Sequence, residues 1–258
     1  MLEPKIKFDN VSILFGNKSR NELVLDNLSF DIFAEEFVCI LGPSGSGKTT
    51  ILRLIAGFNK PTSGIILFNL KEVKRPDSSR TMVFQDYALF PWLSILDNVA
   101  FGLTMKKIRK KEIYEKALEF LNLVGLTKYK DYSVSQISGG MKQRVALARA
   151  LAVDPEVLLL DEPFGALDMQ TRESMQLEII RLWTKTKRTV VFVTHSVDEA
   201  LKLADRILVI GGKPGKLLYD TTVSITRPRD LSDLKLVNIR SKILDKLVQP
   251  EYFLGADI

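Results

Sequence analysis

A glycine-rich stretch that ends in lysine and threonine, "GPSGSGKTT" at 42–50, has the residue types and spacing needed to hold a chain of phosphates. It matches the pattern G-x-x-x-x-G-K-[ST], whose fixed residues are here Gly42, Gly47, Lys48 and Thr49. Glycines let the backbone N–H groups turn toward an anion, and the start of a following helix adds partial positive charge. We therefore predict that Lys48 reaches the β- and γ-phosphates of a nucleotide and that the Thr49 hydroxyl ligates Mg²⁺.

Two adjacent carboxylates follow an apolar run in "VLLLDEP" at 157–163. Four consecutive apolar residues predict a buried strand, and a phosphate loop of this kind needs a second strand that carries a carboxylate for Mg²⁺. We predict Asp161 as a metal ligand and Glu162 as the base that polarises the attacking water. The alternative, a strand end with two solvated acids, is the weaker one because the strand is so apolar.

His195 is the only histidine of the chain, and it lies between the apolar run "TVVFVT" and a helical pattern. A lone histidine is more often structural than functional. Placed at the carboxyl end of a strand in a sheet that carries a phosphate loop, however, it faces the ligand crevice. We therefore predict a role for His195 at the nucleotide.

The run "SQISGGMKQRVALARALA" at 135–152 predicts a helix that begins with Ser138, Gly139 and Gly140, although glycine destabilises helices. Bare glycines at the start of a helix let an anion approach its free N–H groups. In each chain, the loop around Lys48 is expected to surround the phosphates of the nucleotide that this chain binds. We therefore predict a head-to-tail dimer in which this helix caps the γ-phosphate held by the other chain.

Strands and helices alternate along most of the chain, which predicts a parallel α/β sheet. Strands are predicted at 5–13, 23–33, 36–41, 64–69, 80–85, 157–161, 188–194, 206–210 and 216–223. Helices are predicted from Gly47 to about Gly57, at 169–186 and 197–204, through a helical block at 94–153, and in a tail that Pro250 stops. The helical block interrupts the α/β pattern as an inserted subdomain.

The length of 258 residues fits one large domain or one domain plus a subdomain, and the net charge is +6. The basic run at 105–116 predicts a solvated helix face rather than a nucleic-acid patch, because Glu112 and Lys116 lie four residues apart, as an ion pair on a helix surface requires. Cys39, the single cysteine, lies in an apolar run and is predicted to be a buried structural thiol in a reducing compartment. The start of the chain is unlike a signal peptide, and no apolar run is long enough to span a membrane.

Together these motifs resemble the nucleotide-binding subunits of ABC transporters over nearly the whole chain. The matching stretches are the phosphate loop (Walker A), "VLLLDEP" (Walker B), the signature "ISGGMKQR" with Ile137 where the family usually has leucine, Gln85 of the Q-loop, "GALD" ending in Asp168, and the switch histidine His195. The resemblance implies a P-loop NTPase fold with a RecA-like, mostly parallel sheet, an antiparallel β subdomain and an inserted α-helical subdomain. The implied division of the single domain is 1–86 with 156–230 as core, 87–155 as helical subdomain and 231–258 as tail.

The resemblance also implies site residues for ATP and Mg²⁺. ATP is expected at Phe15, which would stack on adenine, and at Gly42, Pro43, Ser44, Gly45, Ser46, Gly47, Lys48, Thr49 and Thr50. The catalytic residues would be Glu162, His195 and Gln85, and the metal ligands Thr49, Gln85 and Asp161. The residues that act from the second chain would be Ser138, Gly139, Gly140 and Gln143, with Asp168 in the D-loop.

Two further stretches, "FQDYALFPWLSILDNVAFGL" and "RPRD" at 227–230, look like those of the nitrate, sulfonate and taurine type of importer ATPases. This implies an ATP-hydrolysing motor on the cytoplasmic face of the cell membrane that energises uptake of a small anionic solute. The expected partners are a second copy, a separate integral-membrane permease and, indirectly, an extracytoplasmic solute-binding protein. No nucleic acid is expected, and the identity of the solute does not follow from this chain.

Other classes fit less well. ABC ATPases that act on DNA carry a long coiled coil for which the chain has no room, and those of translation carry two cassettes. A small-molecule kinase would not need the signature helix. An ABC ATPase that is not coupled to transport, for example one of iron–sulfur assembly, stays open.

The segment "DYALFPWL" at 86–93 is unusually apolar for a stretch between a strand and a helical block. Its large side chains are either part of the core or a docking patch. We predict that it docks a cytoplasmic helix of the permease, with Trp92 as an anchor.

Overall fold

The computed structural model of the chain describes residues 3–17, 20–165 and 167–248. The chain forms two compact units, one made of Met1–Asp77 and Thr189–Ile258 and the other of Ser78–Arg188. In chain order the elements are β1 (Ile6–Asn17), β2 (Arg20–Ile32), β3 (Phe37–Leu41), α1 (Lys48–Ala56), β4 (Ser63–Phe68), β5 (Lys71–Glu72), β6 (Arg80–Val83), α2 (Ile95–Ala100), α3 (Lys110–Leu123), α4 (Gly139–Ala152), β7 (Val157–Asp161), α5 (Met169–Thr186), β8 (Thr189–Thr194), α6 (Val197–Leu203), β9 (Arg206–Gly211), β10 (Lys216–Thr222) and α7 (Leu234–Leu247).

The first unit contains two groups of strands. One is an antiparallel sheet in the order β2-β1-β4-β5. In the other, β3 pairs in parallel with β8 on one side and β9 on the other, and β10 joins β9 as an antiparallel edge. Strands β3 and β8 are buried at every position, as expected for parallel strands covered on both faces. This arrangement agrees with the predicted mixture of a parallel core and an antiparallel β subdomain.

Helix α1 follows β3 after the glycine-rich loop, as predicted. It begins after Gly47, which has a left-handed backbone with φ 87°, and it ends at Gly57, which has φ 81°. Its buried side chains, which include Ile51, Leu54 and Ile55, hold one face in the core of the unit. The left-handed glycines at both ends explain why the helix is confined to nine residues.

The second unit combines a parallel pair of strands, β6 and β7, with four helices. Helices α2, α3 and α4 pack on one another, with short 3₁₀ turns between them, inside the helical block that the sequence predicts at 94–153. The helical subdomain predicted at 87–155 lies inside this unit, which also includes β6, β7 and α5. Strand β6 ends at Val83, two residues before the predicted end at Gln85.

Helix α7 is the amphipathic tail helix that the sequence predicts. Its buried residues are Leu236 and Ile243, two turns apart on one face. Pro250, which was predicted to stop the helix, lies outside the described residues. In the described part of the chain, no helix combines the length and apolar character that crossing a bilayer requires.

Candidate nucleotide site

The glycine-rich loop at 42–47 leads from the buried strand β3 into helix α1, which is the context the phosphate-binding motif needs. The Lys48 side chain is only 5% exposed, and its ammonium donates a hydrogen bond to the Pro43 carbonyl at 2.8 Å. Gly45 and Gly47 both have left-handed backbones, and Gly47 offers helix α1 no side-chain cap. A lysine held over a turned loop at the start of a helix suits a polyphosphate.

Neighbouring backbone braces this loop from outside. A Cβ at Gly42 would lie 2.1 Å from the Ile210 carbonyl oxygen, and one at Gly215 would lie 2.2 Å from the Ser46 carbonyl oxygen. The turn between β9 and β10 is therefore packed directly against the loop. A side chain at position 42 or 215 would clash with this backbone and distort the loop.

His195 follows β8 and is exposed to solvent. The hydroxyl of Thr194 donates to the carboxylate of the buried Glu199 at 2.6 Å, and the Ser196 N–H donates to the same hydroxyl at 3.0 Å. Ser196 in turn caps helix α6 by accepting from the Glu199 N–H. These bonds fix the turn that presents His195 at the carboxyl end of the strand, where the sequence placed it.

Two arginines of the "RPRD" stretch hold the other end of α6. Arg229 donates to the carbonyls of Leu201 and Ala204 at 2.7 and 2.6 Å, and Arg227 donates to Leu203. Burial, together with the nearby Arg227 charge, lowers the pKa of Arg229 to about 10. The sequence reasoning missed this role, although cations are expected to cap helix C-termini.

Phe15, the predicted adenine-stacking residue, lies on β1 opposite Glu22. Its side chain is 40% exposed, so part of the ring is free to meet a base. The role in stacking stays a prediction.

The carboxylates of the second unit lie where β7 ends. Asp161 is the last residue of the strand and is 7% exposed, and Glu162 follows in a left-handed conformation with φ 42°. A left-handed residue other than glycine stores strain, which proteins tolerate mainly at functional sites. The turn continues to Gly165, whose N–H donates to the Glu162 carbonyl at 3.1 Å.

Gln85 lies beside this same turn. A Cβ at Gly165 would be 3.6 Å from the Gln85 amide nitrogen and 3.5 Å from the Glu162 carbonyl oxygen. The fold thus brings together the predicted sensor Gln85 and the turn that begins at the predicted base Glu162. Their chemical roles remain predictions.

Asp168, predicted for the D-loop, is the N-cap of helix α5. Its carboxylate accepts a hydrogen bond from the Thr171 N–H at 3.0 Å, and the hydrogen bonds from Thr171 lower its pKa. Asp168 therefore has a structural role in its own chain, whatever it contacts in an assembly.

Ser138 is the N-cap of α4 and accepts from the Met141 N–H at 3.3 Å. The two glycines that follow differ. A Cβ at Gly140 would lie 2.7 Å from the Thr171 methyl group, so a larger residue there would force the packing of α4 on α5 to shift. A Cβ at Gly139 would meet only ordinary contacts, the nearest being Leu167 at 3.7 Å. The two glycines therefore differ in their packing, and the prediction that both serve an approaching anion stays a prediction.

Gln143 is completely buried, with 0% of its surface exposed. Neither its amide nitrogen nor its amide oxygen has a hydrogen-bond partner among the described residues. Helix α4 carries this side chain into the unit, one turn beyond the exposed Gly139. The predicted role of Gln143 toward a second chain stays a prediction.

A model of the family described as "ABC transporter" matches residues 25–165, which is more than half of the chain. The chain belongs to this family. It is an ATPase of the ATP-binding cassette class, and the cassette's P-loop NTPase fold is the one predicted from its motifs.

Characterised and uncharacterised cassettes are similar to it over most of their length. An uncharacterised ABC transporter ATP-binding protein of Methanocaldococcus jannaschii, MJ0412, is 46% identical over 95% of this chain and 92% of its own. The nitrate import ATP-binding protein NrtD of Synechocystis is 39% identical over 98% of this chain and 92% of its own. The taurine import ATP-binding protein TauB of Roseobacter denitrificans is 46% identical over 82% and 80%.

Solved structures of cassettes match as well. A dimeric structure of the cassette MJ0796 in a post-hydrolysis state, bound to ADP and phosphate, superposes with a TM-score of 0.75 at 32% identity and covers 86% of this chain and 100% of that one. CbiO1 of Clostridium perfringens, part of the transporter complex cbiONQ, superposes with a TM-score of 0.78 at 27% identity over 98% and 100%. The cassette accordingly binds adenine nucleotide.

Proposed function

We propose that this ATPase is the motor subunit of an ABC importer, in which two copies bind and hydrolyse ATP and drive a separate integral-membrane permease. The observation that carries the proposal is a large aromatic side chain left exposed on a firmly held segment. This segment, residues 86–93, is called the docking segment below.

Asn98 holds the docking segment from helix α2. Its buried side-chain amide accepts from the Phe90 N–H at 2.9 Å and donates to the Phe90 and Ser94 carbonyls at 3.1 and 3.0 Å. One buried side chain thus satisfies backbone groups at both ends of the turn 90–94. The turn is preformed, which lowers the entropic cost of binding a partner.

Trp92 projects from this turn with 76% of its surface exposed. Its ring lies 5.5 Å from the ring of Phe90, which in turn lies 4.4 Å from that of Phe101. Exposed aromatic residues backed by others are frequent anchors of protein interfaces. We infer that a cytoplasmic helix of the permease packs on Trp92. For this reason we favour a role in transport over that of an ABC ATPase that is not coupled to a membrane partner.

The nucleotide chemistry proposed for the site follows the sequence prediction. Lys48 binds the phosphates, Glu162 activates the attacking water, and His195 senses the γ-phosphate. Magnesium, when bound, supplies charge neutralisation for phosphoryl transfer. Its proposed ligands Thr49, Gln85 and Asp161 all offer oxygen atoms, the donors that Mg²⁺ prefers.

The remaining parts of the proposal rest on the import cassettes to which the chain is similar. We propose a small anionic solute such as nitrate, a sulfonate or taurine, delivered by an extracytoplasmic solute-binding protein. The cassette would then lie on the cytoplasmic face of the membrane. The support is the identity to NrtD and TauB along most of the chain.

Co-expression with a candidate permease from the same genome tests the proposal. The cassette should co-purify with the permease in detergent, and Trp92→Ala should weaken this association by about 2 kcal/mol or more while leaving the isolated subunit folded and able to bind ATP. Leu177→Ala, on α5, is the matched control because Leu177 is another exposed apolar residue of the same unit. Normal assembly of Trp92→Ala would refute the docking role, and unfolding of the isolated variant would show that Trp92 is part of the core.

A further inference from the structure

Arg149 links the signature helix α4 to the docking segment. Its guanidinium donates to the Ala88 carbonyl at 2.7 Å and to the Tyr87 carbonyl at 2.8 Å. The two bonds come from the two terminal nitrogens, so the planar fork grips consecutive peptide groups. The guanidinium also lies 5.5 Å from the centre of the Phe90 ring.

The two residues whose carbonyls accept from Arg149 have an unfavourable backbone conformation. Tyr87 has φ 62° and Ala88 has φ 44°, so two consecutive residues other than glycine are left-handed. Each such residue is costly, and it persists only where the surroundings hold it. Arg149 supplies that hold from helix α4 through its two hydrogen bonds, and partial burial lowers the pKa of its guanidinium.

Tyr87 also reaches the beginning of the same helix. A Cβ at Gly139 would lie 3.9 Å from the Tyr87 hydroxyl oxygen, which places that hydroxyl beside the exposed signature glycine. The hydroxyl is buried and has no hydrogen-bond partner within the ranges that the structure describes. The segment just after Gln85 is therefore hydrogen-bonded to α4 by Arg149, and the Tyr87 hydroxyl lies beside Gly139 at the start of that helix.

We propose that Arg149 is a positioning residue that keeps Tyr87 and Ala88 left-handed and so holds the segment after Gln85 against the start of the signature helix. A displacement of the docking segment is then passed to the signature helix through the Arg149 hydrogen bonds and the Tyr87 side chain. Lysine cannot replace this grip, because an ammonium lacks the planar fork that spans two carbonyls. The inference rests on the proposed role of the signature in joining two copies.

If Arg149 fixes the backbone of residues 87 and 88, its loss should be compensated by a residue that tolerates the left-handed region, which would not hold if Arg149 only filled space. Without the fork, Tyr87 and Ala88 relax toward the right-handed region, and the Tyr87 side chain leaves Gly139. Glycine at 88 tolerates the left-handed region without the clamp. Ala88→Gly should therefore partly restore what the loss of Arg149 removes, whereas it would not refill a packing defect.

The test uses the full chain in a Glu162→Gln background, so that ATP is bound without being consumed. Arg149→Met, Arg149→Lys, Arg149→Met with Ala88→Gly, and the control Arg181→Met are compared. Arg181 is an exposed arginine on α5 of the same unit. The measurements are the ATP dissociation constant, the ATP-dependent dimer dissociation constant from analytical ultracentrifugation, and the melting temperature.

We expect Arg149→Met to weaken ATP-dependent association about tenfold or more, which corresponds to about 1.4 kcal/mol, with ATP affinity changed less than about twofold. Arg149→Lys should lie between it and the parent, the Ala88→Gly double variant should regain part of the loss, and Arg181→Met should match the parent. Should Arg149→Met fail to fold, the lysine variant with and without Ala88→Gly gives the same comparison.

Association of Arg149→Met as tight as that of the parent would overturn the inference while leaving the dimer intact. Weakened association without any rescue by Ala88→Gly would also overturn it, because the effect would then be one of packing. A parent chain that does not associate with ATP would refute the proposed composite site, and the positioning role with it.

Discussion

Thr194 lies directly opposite Leu41 in the parallel pair formed by β8 and β3. Because both strands run in the same direction and end at this pair, the glycine-rich loop and His195 leave the sheet as neighbours. The residues that follow paired strand ends start about 5 Å apart, the spacing of adjacent strands. The register of two buried strands thus brings the start of the glycine-rich loop, at Gly42, and His195 to the same edge of the sheet.

Glu162→Gln should nearly abolish ATP hydrolysis and leave ATP binding intact. The amide keeps the size of the side chain but cannot take a proton, and loss of a general base typically costs about 10²–10⁴-fold. Steady-state phosphate release and equilibrium nucleotide binding measure the two effects. Glu119→Gln, an exposed residue on α3, is the control, and wild-type turnover of Glu162→Gln would remove Glu162 from the role of base.

Lys48→Ala should weaken ATP binding itself. The variant removes a charge aimed at the phosphates and also the hydrogen bond to the Pro43 carbonyl that shapes the loop. Isothermal titration with ATP checks the effect, and Lys60→Ala, an exposed lysine of the same unit, controls for the loss of one positive charge. Unchanged affinity would contradict the assignment.

Mixing two inactive variants should restore one intact site if the signature acts on the other chain. A chain with Ser138→Arg and a chain with Lys48→Ala form a heterodimer with one site that carries both lesions and one that carries neither. ATP-dependent association of the mixture, measured by size-exclusion chromatography, is the expected result. If the mixture stays monomeric while the wild type associates, the sites do not form in this head-to-tail manner.

The two signature glycines should respond differently to alanine. Gly140→Ala places a methyl group against Thr171 and should destabilise the fold by about 1–3 kcal/mol, the usual cost of overpacking. Gly139→Ala meets no close neighbour in its own chain and should keep the wild-type melting temperature while impairing ATP-dependent association. Equal melting temperatures for the two variants would show that Gly140 is not required by packing.

Cys39 should be inert in the folded cassette. Burial in β3, helped by the nearby Glu199 charge, raises the pKa of the thiol well above its ordinary value, so very little thiolate exists at about pH 8. Because it is the only cysteine of the chain, labelling by a thiol reagent reports on this residue alone. The reaction should be slow in buffer and fast in denaturant, and rapid labelling of the native protein would contradict the burial.

Local pattern was enough to predict the glycine-rich loop before α1, the strand that leads to the two carboxylates, the strand before His195 and the helix that begins at Ser138. These features depend on residues close in the chain, such as left-handed glycines at both ends of α1 and a serine that caps its own helix. Short-range geometry of this kind repeats wherever the same residue types recur, and for that reason a motif transfers from one chain to another.

Contacts between distant segments were decided only by the tertiary structure. Gly140 packs closely against Thr171, Gln143 is buried in the core, and Arg227 and Arg229 cap a helix more than twenty residues before them. Arg149 donates hydrogen bonds to two carbonyls about sixty residues away. The periodicity of the sequence does not predict these bonds. The reason is physical, since a side chain's type limits what it can bind, but its partner depends on which backbone the packing brings within reach.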